Sequence, residues 1–348
     1  MAEILFFSNA LRTGQKPFFL QSDSRIHKYT IQRPGFLYAN PDGKKHKHMG
    51  WWEMIKRFLI CIILACRSFF YDVLILDVTT TAFLIVPLLF FRKKPKVIVL
   101  HFNVLRRRTG FVLWLSRIFF RRIDYFVVHS RYDMKYAAEL YSLPSGKIAF
   151  WPFVRAEPAS GLPAEKYTSG INKPFIMSYG ANARDYKTLF ETARTTDLPF
   201  VVVARKFNVE GFDIPENVRL FYDVPLDECD KLVSSCLFTV FTFDGTEPSC
   251  GQISMVTSLM LGKPVICTDC TAVKDYIIDG YSGLFVNFKD ADGLRDKMLK
   301  LYNDRGLYDT LCSGAREWAV KNVVPVAFQS YIDKVVTELV TNKKASRE

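Results

Sequence analysis

The chain has 348 residues, of which 49% are apolar, so it is long enough for two domains that each have a full hydrophobic core. This composition excludes a largely disordered protein. The net charge of +12 is uneven, because residues 1–155 carry 25 Lys and Arg against 9 Asp and Glu, or +16, and residues 156–348 carry −4. The first half is therefore expected to meet an anionic partner, such as a membrane surface, a nucleic acid or a phosphorylated substrate.

Short apolar runs alternate with helix-like segments along nearly the whole chain, which is typical of parallel sheets with helices on both faces. The predicted strands of the first half are 4–7, 73–76, 96–100 and 125–128. Those of the second half are 175–178, 200–204, 218–221, 237–242, 264–267 and 284–286. The pattern predicts an α/β protein.

Segment 156–173 is rich in Pro, Gly, Ser and Ala, which indicates a linker between domains. We therefore predict a Rossmann-like domain over residues 1–155, a second one over 171–325, and a C-terminal helix and tail over 326–348. Segment 73–91 is apolar and nearly long enough to cross a membrane. Asp77, the threonines at 79–81 and Pro87 favour a buried strand and a short core helix, with a span as the less favoured alternative.

The eight cysteines show no disulfide-rich spacing and no cleavable signal opens the chain, which favours a cytoplasmic protein. Cys267 and Cys270 form a single Cys-x-x-Cys at the end of a predicted strand. Buried structural thiols are favoured there over a redox or zinc pair.

Residues 246–286 carry the most information about function. Pro248, Ser249, Cys250 and Gly251 form a loop of small residues, and a helix is predicted from Gln252 onward. The N-terminus of that helix directs free N–H groups at the loop, and this arrangement suits a phosphate.

Arg184 follows a predicted strand that ends at Gly180, and Asp185 begins the next predicted helix. A pyrophosphate at this position could bond to both the guanidinium and backbone amides. The alternative is a solvated arginine beside a helix cap.

Five stretches in the second half carry a family resemblance: FIMSYGANARDYKTL, NVRLFYDVPLDECDKLVSSCLFTVFTF, EPSCGQISMVTSLMLGKPVICTD, VKDYIIDGYSGLFV and LYNDRGLYDTLCSGAREWA. In this order, and over nearly all of residues 171–320, the chain resembles GT-B glycosyltransferases of the retaining group called glycosyltransferase family four. The first half matches more loosely, through YDVLILD, KVIVLHF and IDYFVVHSR. The resemblance implies two Rossmann-like domains with parallel sheets facing across a cleft, and a nucleotide-sugar donor held mostly by the second.

The same resemblance implies roles for single residues. Arg184 falls where the family places a basic residue on the donor diphosphate, and Gly251 and Gln252 fall on the loop that cradles it. His101 matches a histidine aimed at the donor sugar, and Glu247 is placed to bond sugar hydroxyls. We expect the catalytic residues to be His101 and Glu247, and the donor-binding residues to be Gly180, Arg184, Arg205, Glu247, Ser249, Gly251, Gln252 and Thr257.

Two of these points stay open. The family has two glutamates around the glycine loop, and the second of them holds the ribose. Ser249 falls near the position of the first glutamate, and Thr257 falls at the position of the second. Ribose binding is then altered, the donor differs, or activity is reduced. His101 has a simple alternative, a hydrogen-bonded histidine at a strand end.

The first half interleaves basic and aromatic residues, and residues 106–122, RRRTGFVLWLSRIFFRR, indicate a basic amphipathic helix. This favours peripheral attachment to the inner face of an anionic membrane, and a solvated face is the alternative. We expect a glycosyltransferase that uses a nucleotide-sugar donor and a saccharide or lipid-linked acceptor, without a metal or other cofactor, because basic groups and helix dipoles can stabilise the leaving diphosphate. A sugar-nucleotide epimerase and a catalytically weakened binding protein are the alternatives, while nucleic-acid binding rests on charge alone.

Overall fold

The computed structural model describes residues 1–8, 20, 26–32, 51–77, 82, 84–91, 93–102, 109–245 and 250–345. Contacts between Cα atoms divide the chain into two compact units. The first contains Met1–Trp151 and Pro325–Glu348, and the second contains Pro152–Val324.

The first unit is built on a parallel sheet of six strands in the order β2-β1-β3-β4-β5-β6. The strands are β1 Glu3–Phe7, β2 Lys28–Gln32, β3 Val73–Leu76, β4 Lys96–Val99, β5 Tyr125–Val128 and β6 Ile148–Phe150. The central strands are fully buried because their side chains face helices on both sides of the sheet. The helices of this unit are α1 Trp51–Ser68, a 3-10 helix Val86–Leu89, α2 Gly110–Phe120 and α3 Arg131–Tyr141.

The last helix of the chain, Pro325–Ala345, packs against the first unit. His27 Nε2 lies 3.0 Å from the Asp333 carbonyl, and the Tyr29 hydroxyl donates to the Asp333 carboxylate at 2.6 Å. The hydroxyls of Tyr125 and Tyr331 are 2.7 Å apart. These contacts explain why residues 325–348 group with the first sheet although they follow the second unit in sequence.

The second unit has its own six-stranded parallel sheet, in the order β12-β11-β10-β7-β8-β9. Its strands are β7 Ile176–Tyr179, β8 Phe200–Ala204, β9 Val218–Tyr222, β10 Thr239–Phe241, β11 Val265–Thr268 and β12 Gly283–Val286. Its helices are α4 Glu165–Thr168, α5 Tyr186–Ala193, α6 Lys206–Val209, α7 Leu226–Ser235, α8 Gln252–Met260, a 3-10 helix Thr271–Asp275, α9 Ala291–Asn303 and α10 Arg305–Asn322. Counted on, the last helix of the chain is α11.

The α/β prediction is confirmed, and all ten predicted strands are present with ends shifted by two residues at most. The sequence missed β2 and β6. Segment 73–91 begins with β3, which excludes a helical membrane span over it. Over the described ranges, no helix combines the length and the apolar character that crossing a membrane requires.

Candidate functional site

Arg184 lies at the carboxyl end of β7, in the short loop that leads into α5. Its guanidinium folds back onto the strand end, where Nε and Nη2 donate to the Tyr179 carbonyl at 3.3 and 3.1 Å. Nη2 also lies 3.3 Å from Ser254 Oγ in α8. The residue is only 8% exposed, so the alternative of a solvated arginine is wrong.

Gly180 provides the room for this guanidinium. It has φ +134, and a Cβ on it would lie 2.6 Å from both Nε and Nη2 of Arg184. Aromatic rings complete the enclosure, because the guanidinium carbon lies 4.6 Å from the centre of the Phe243 ring and 5.1 Å from that of Phe241. Arg184 is therefore held in one position by the strand end and two aromatic faces.

One nitrogen of the Arg184 side chain makes no hydrogen bond to the described residues. Nη1 is buried, and no described residue accepts a hydrogen bond from it. It points at Gly251, since a Cβ on that glycine would lie 2.9 Å from Nη1. Gly251 has φ +83 and caps α8, whose first N–H groups have no acceptor within the helix. A cationic N–H group and a helix N-terminus thus meet at Gly251, and both attract an anion.

The remaining residues of the glycine loop are only partly described. Gln252 is the first residue of α8 and is half-buried. Glu247 and Ser249 lie outside the described residues, so the roles expected of them stay predictions. Cys250 is buried directly before Gly251.

Thr257 lies on α8 and is fully buried. Its hydroxyl donates to the Ile253 carbonyl at 2.8 Å and accepts a short hydrogen bond from Arg155 Nη1. The Arg155 guanidinium in turn makes a two-point ion pair with Asp230 of α7, at 3.0 and 2.6 Å. Where the resemblance implies a ribose-binding carboxylate, this chain has a hydroxyl that already bonds to an arginine.

Sequence reasoning missed Arg155 and Asp230. They are 75 residues apart, and no local pattern connects them. Asp230 also accepts a hydrogen bond from the Ala159 backbone N–H at 3.1 Å, so the pair fastens the segment that follows β6 to α7. These contacts stabilise the second unit, and the donor-binding role of Thr257 stays a prediction.

Arg205 lies at the N-terminal end of α6, directly after β8. Its guanidinium makes a short ion pair with Asp223, and both side chains are exposed, at 40% and 65%. An exposed pair of this kind contributes little to stability. The donor-binding role of Arg205 stays a prediction.

His101 follows β4 in the first unit and adopts φ +47, a left-handed conformation that is uncommon for a residue with a side chain. Both ring nitrogens have partners: Nδ1 lies 2.6 Å from His129 Nε2, and Nε2 lies 3.2 Å from Asp77 Oδ1. Its environment is that of a hydrogen-bonded histidine at a strand end. Whether it also contacts a sugar stays a prediction.

Cys267 and Cys270 are both buried. Burial raises the pKa of the Cys267 thiol well above its ordinary value and raises that of Cys270 to about 12. A reactive or metal-binding cysteine needs the opposite shift, because the thiolate is the reactive form. The two thiols therefore fit the structural role.

Asp290-Ala291-Asp292 is an Asp-x-Asp sequence, and carboxylate oxygens of this kind are metal ligands in many proteins. Asp290 caps α9 by accepting a hydrogen bond from the Gly293 N–H at 2.8 Å, and Asp292 pairs with Arg295 at 2.8 Å. Both carboxylates thus have local partners. Among the described residues, no group of three His, Cys, Asp or Glu side chains is arranged to hold a metal ion.

One surface of the first unit combines exposed apolar and basic side chains. It is formed by α1, the 3-10 helix Val86–Leu89 and α2, which contact one another in that order. Its exposed apolar residues are Phe58, Leu59, Ile62, Ile63, Leu88, Phe91, Phe111, Val112 and Trp114. Its exposed basic residues are Arg67, Lys93, Lys94 and Arg121.

The helix predicted over 106–122 is observed as α2 over Gly110–Phe120, and residues 106–108 lie outside the described residues. Not every arginine of this segment faces solvent. Arg117 donates to the Leu140 carbonyl at 2.8 Å, and Arg122 donates to the Pro95 carbonyl at 2.7 Å.

Residues 205–318 match the family described as Glycosyl transferases group 1. An uncharacterised glycosyltransferase of Methanocaldococcus jannaschii is 28% identical over 116 residues, which are 32% of each chain. The capsular polysaccharide biosynthesis glycosyltransferase CapM of Staphylococcus aureus is 25% identical over 171 residues, 44% of this chain and 43% of that one. The matched part therefore spans less than half the length of these curated relatives.

The likeness of fold extends over nearly the whole chain. The crystal structure of HepE from Anabaena in complex with UDP-glucose is similar with a TM-score of 0.72 at 10% sequence identity, over 97% of this chain and 100% of that one. With the two six-stranded parallel sheets, this likeness shows the fold. The chain has the GT-B fold, and its residues 205–318 match the model of the family described as Glycosyl transferases group 1.

Proposed function

We propose that this chain is a glycosyltransferase that moves a sugar from a nucleotide-sugar donor to a saccharide or lipid-linked acceptor. The anomeric C1–O bond of the donor breaks, the nucleoside diphosphate leaves with the electron pair, and the acceptor oxygen bonds to C1. The acceptor hydroxyl gives its proton to the departing phosphate, which acts as the base. We propose retention of configuration and no metal requirement.

The observation that carries this proposal is the buried Nη1 of Arg184 beside Gly251. A buried donor without an acceptor costs about 1–3 kcal/mol, and a diphosphate oxygen at the Gly251 loop removes that cost. Only glycine at position 251 lets a ligand approach the helix N-terminus this closely. Charge on the leaving diphosphate increases as the C1–O bond breaks, so the fixed guanidinium and the start of α8 stabilise the transition state.

Two of the relatives support the type of substrate. HepE was crystallised with UDP-glucose, which favours a nucleoside diphosphate sugar as the donor of this chain. CapM is named for capsular polysaccharide biosynthesis, which favours a cell-surface glycan or glycolipid as product.

The test is to incubate the purified chain with a panel of nucleotide sugars, with and without membrane lipid extract, and to measure released nucleoside diphosphate. We expect release with one donor or a few, increased by extract that contains the acceptor. Conversion of the sugar nucleotide into its epimer, without transfer, would support the epimerase alternative. Donor binding without any turnover would support a weakened binding protein, the alternative that Thr257 keeps open.

We also propose that the first unit attaches to the inner face of an anionic membrane, through the surface formed by α1, the 3-10 helix and α2. The exposed apolar side chains of this surface insert at the headgroup boundary, and its exposed basic groups attract anionic lipid. Phe91 is 97% exposed and Phe111 is 72% exposed, which is unusual for phenylalanine in contact with water. This attachment brings a lipid-linked acceptor to the enzyme.

We expect Phe111→Glu to reduce binding to vesicles of anionic phospholipid by about tenfold, because the change removes an inserting ring and adds repulsion from the lipid charge. Co-sedimentation at low and high salt measures this. The matched control is Phe207→Glu, since Phe207 is 67% exposed but lies in the second unit. Equal binding of both variants, or no binding of the unaltered chain at low salt, contradicts the attachment.

A further inference from the structure

Five strands of the first sheet contribute one group each to a continuous chain of hydrogen bonds along the carboxyl edge. The strands are β1, β3, β4, β5 and β6, which are neighbours in that order. Each contributes one residue that lies one or two positions after its carboxyl end: Ser8, Asp77, His101, His129 and Trp151. We call this chain of hydrogen bonds the edge relay.

The contacts of the edge relay follow the order of the strands. Ser8 Oγ donates a short hydrogen bond to Asp77 Oδ2. Asp77 Oδ1 lies 3.2 Å from His101 Nε2, and His101 Nδ1 lies 2.6 Å from His129 Nε2. His129 Nδ1 lies 2.8 Å from the Trp151 carbonyl. The Asp77 side chain is 14% exposed and that of His101 is 19% exposed, so a ligand reaches the relay at this pair.

The Trp151 carbonyl fixes the direction of the hydrogen bonds that the two histidines make with it and with each other. A carbonyl oxygen only accepts, so His129 Nδ1 carries a hydrogen. Neutral His129 then accepts at Nε2, and His101 donates from Nδ1. His101 Nε2 is left to share one proton with Asp77 Oδ1, which belongs either to a carboxyl group or to an imidazolium.

Burial shifts the pKa values of both groups at this contact. Burial raises the pKa of the Asp77 carboxyl and lowers that of His101 to about 4. Burial, with the neighbouring His101, also lowers the pKa of His129 to about 3. Both members of the Asp77–His101 pair therefore favour their neutral forms, because burial disfavours the charged form of each group. In a hydrogen bond between the two neutral forms, the Asp77 carboxyl donates and His101 Nε2 accepts.

We propose that Asp77 and His129 are positioning residues that hold His101 as a neutral imidazole in one tautomer and one ring orientation, at a place that binds an uncharged hydroxyl group of a sugar. The inference rests on the proposed function for its ligand, but the arrangement of protons does not. A neutral pair of this kind presents dipoles and no net charge. It suits a saccharide hydroxyl and disfavours a phosphate or carboxylate.

The left-handed backbone of His101 fits this role. Non-glycine residues in that region are strained by about 1–3 kcal/mol and persist where the surroundings hold them in place. In His101, hydrogen bonds at both ring nitrogens hold the side chain, and the neighbouring backbone is tied to the sheet, since the Leu100 N–H donates to the Leu76 carbonyl at 2.8 Å.

Nitrogen NMR of histidine-labelled protein at pH 7 tests the arrangement without any turnover. We expect His101 and His129 each to show a protonated Nδ1 and an unprotonated Nε2. Asp77→Asn keeps this pattern, because the amide N–H replaces the carboxyl O–H as donor to His101 and the amide oxygen still accepts from Ser8. Asp77→Ala loses it. A doubly protonated His101 in the unaltered chain, or its loss of a proton in Asp77→Asn, overturns the proposal.

Kinetics test the sugar contact. With Asp77→Ala or His129→Phe we expect the KM of the donor or the acceptor to rise about tenfold with kcat nearly unchanged, because contact in both ground and transition states is lost. Asp77→Asn stays within about threefold of the unaltered chain. A merely structural role instead lowers kcat with the active fraction and leaves both KM values unchanged, which overturns the sugar contact.

Two milder variants guard against misfolding. Ser8→Ala removes only the first donor of the edge relay and is expected to raise the same KM about threefold. Ser68→Ala is its control, since Ser68 is a fully buried serine of the same unit that donates to the Ala65 carbonyl at 2.7 Å. If the unaltered chain transfers no sugar, the proposed function fails, while the nitrogen spectra still decide on the edge relay.

Discussion

Arg184→Ala is expected to weaken binding of the nucleoside diphosphate about 10- to 100-fold, because it removes a hydrogen bond from a charged donor worth about 1.5–3 kcal/mol. Transfer activity falls by at least as much, since the same guanidinium stabilises the departing diphosphate. Isothermal titration calorimetry with the nucleoside diphosphate measures the first effect, and initial rates measure the second. Arg184→Lys retains the charge but not the planar set of donors, so its affinity lies in between.

The controls separate binding from folding. Arg305→Ala removes an arginine from the same unit whose side chain is 79% exposed and pairs with Asp309, and it leaves donor affinity unchanged. Arg184→Ala also takes two hydrogen bonds from the Tyr179 carbonyl, so its melting temperature is measured alongside. Unchanged affinity in a folded Arg184→Ala protein would exclude this residue from the phosphate site.

The sequence predicted the central strands because burial on both faces demands continuous apolar runs. β3 is VLIL and β8 is FVVVA, and every residue of both is buried. The two strands that were missed lie at the edges of the first sheet. β2 is KYTIQ and β6 is a run of three residues, and neither contains a fully buried position. An edge strand has only one neighbour, so its sequence does not need to be apolar throughout.

The residues of the candidate site also fall into a group that the sequence predicted and a group that it did not. Arg184, Gly180 and Gly251 were predicted because each lies beside the end of a strand or the start of a helix that its own neighbours reveal. The edge relay and the pair of Arg155 with Asp230 were not predicted. Their members are far apart in sequence and are brought together by the order of strands in the sheet and by the packing of distant helices. No local sequence pattern reveals that order. Ser8 and Asp77 are 69 residues apart and touch because β1 and β3 are neighbours.

Gly251→Ala is expected to lower both stability and donor affinity. The backbone at φ +83 costs a residue with a side chain about 1–2 kcal/mol. The added methyl group would also lie 2.8 Å from Phe243 Cζ and 2.9 Å from Arg184 Nη1, so the ring or the guanidinium has to move. Crowding of this kind costs a further ~1–3 kcal/mol and displaces the donor that the diphosphate needs.

Gly211→Ala is a closely matched control, because Gly211 has φ +82 and a Cβ there would have no atom within 4 Å. Both variants pay the same backbone cost, so the difference in their free energies of unfolding measures crowding at Gly251 alone. We expect chemical denaturation to show a larger loss for Gly251→Ala, and calorimetry to show lost nucleoside diphosphate binding in that variant only. Equal losses of stability, with donor binding intact in both, would mean that Gly251 serves only as a turn residue and that the anion site lies elsewhere. If Gly251→Ala loses more stability than Gly211→Ala but still binds the nucleoside diphosphate, crowding at Gly251 does not affect binding. The diphosphate then lies away from Arg184 Nη1.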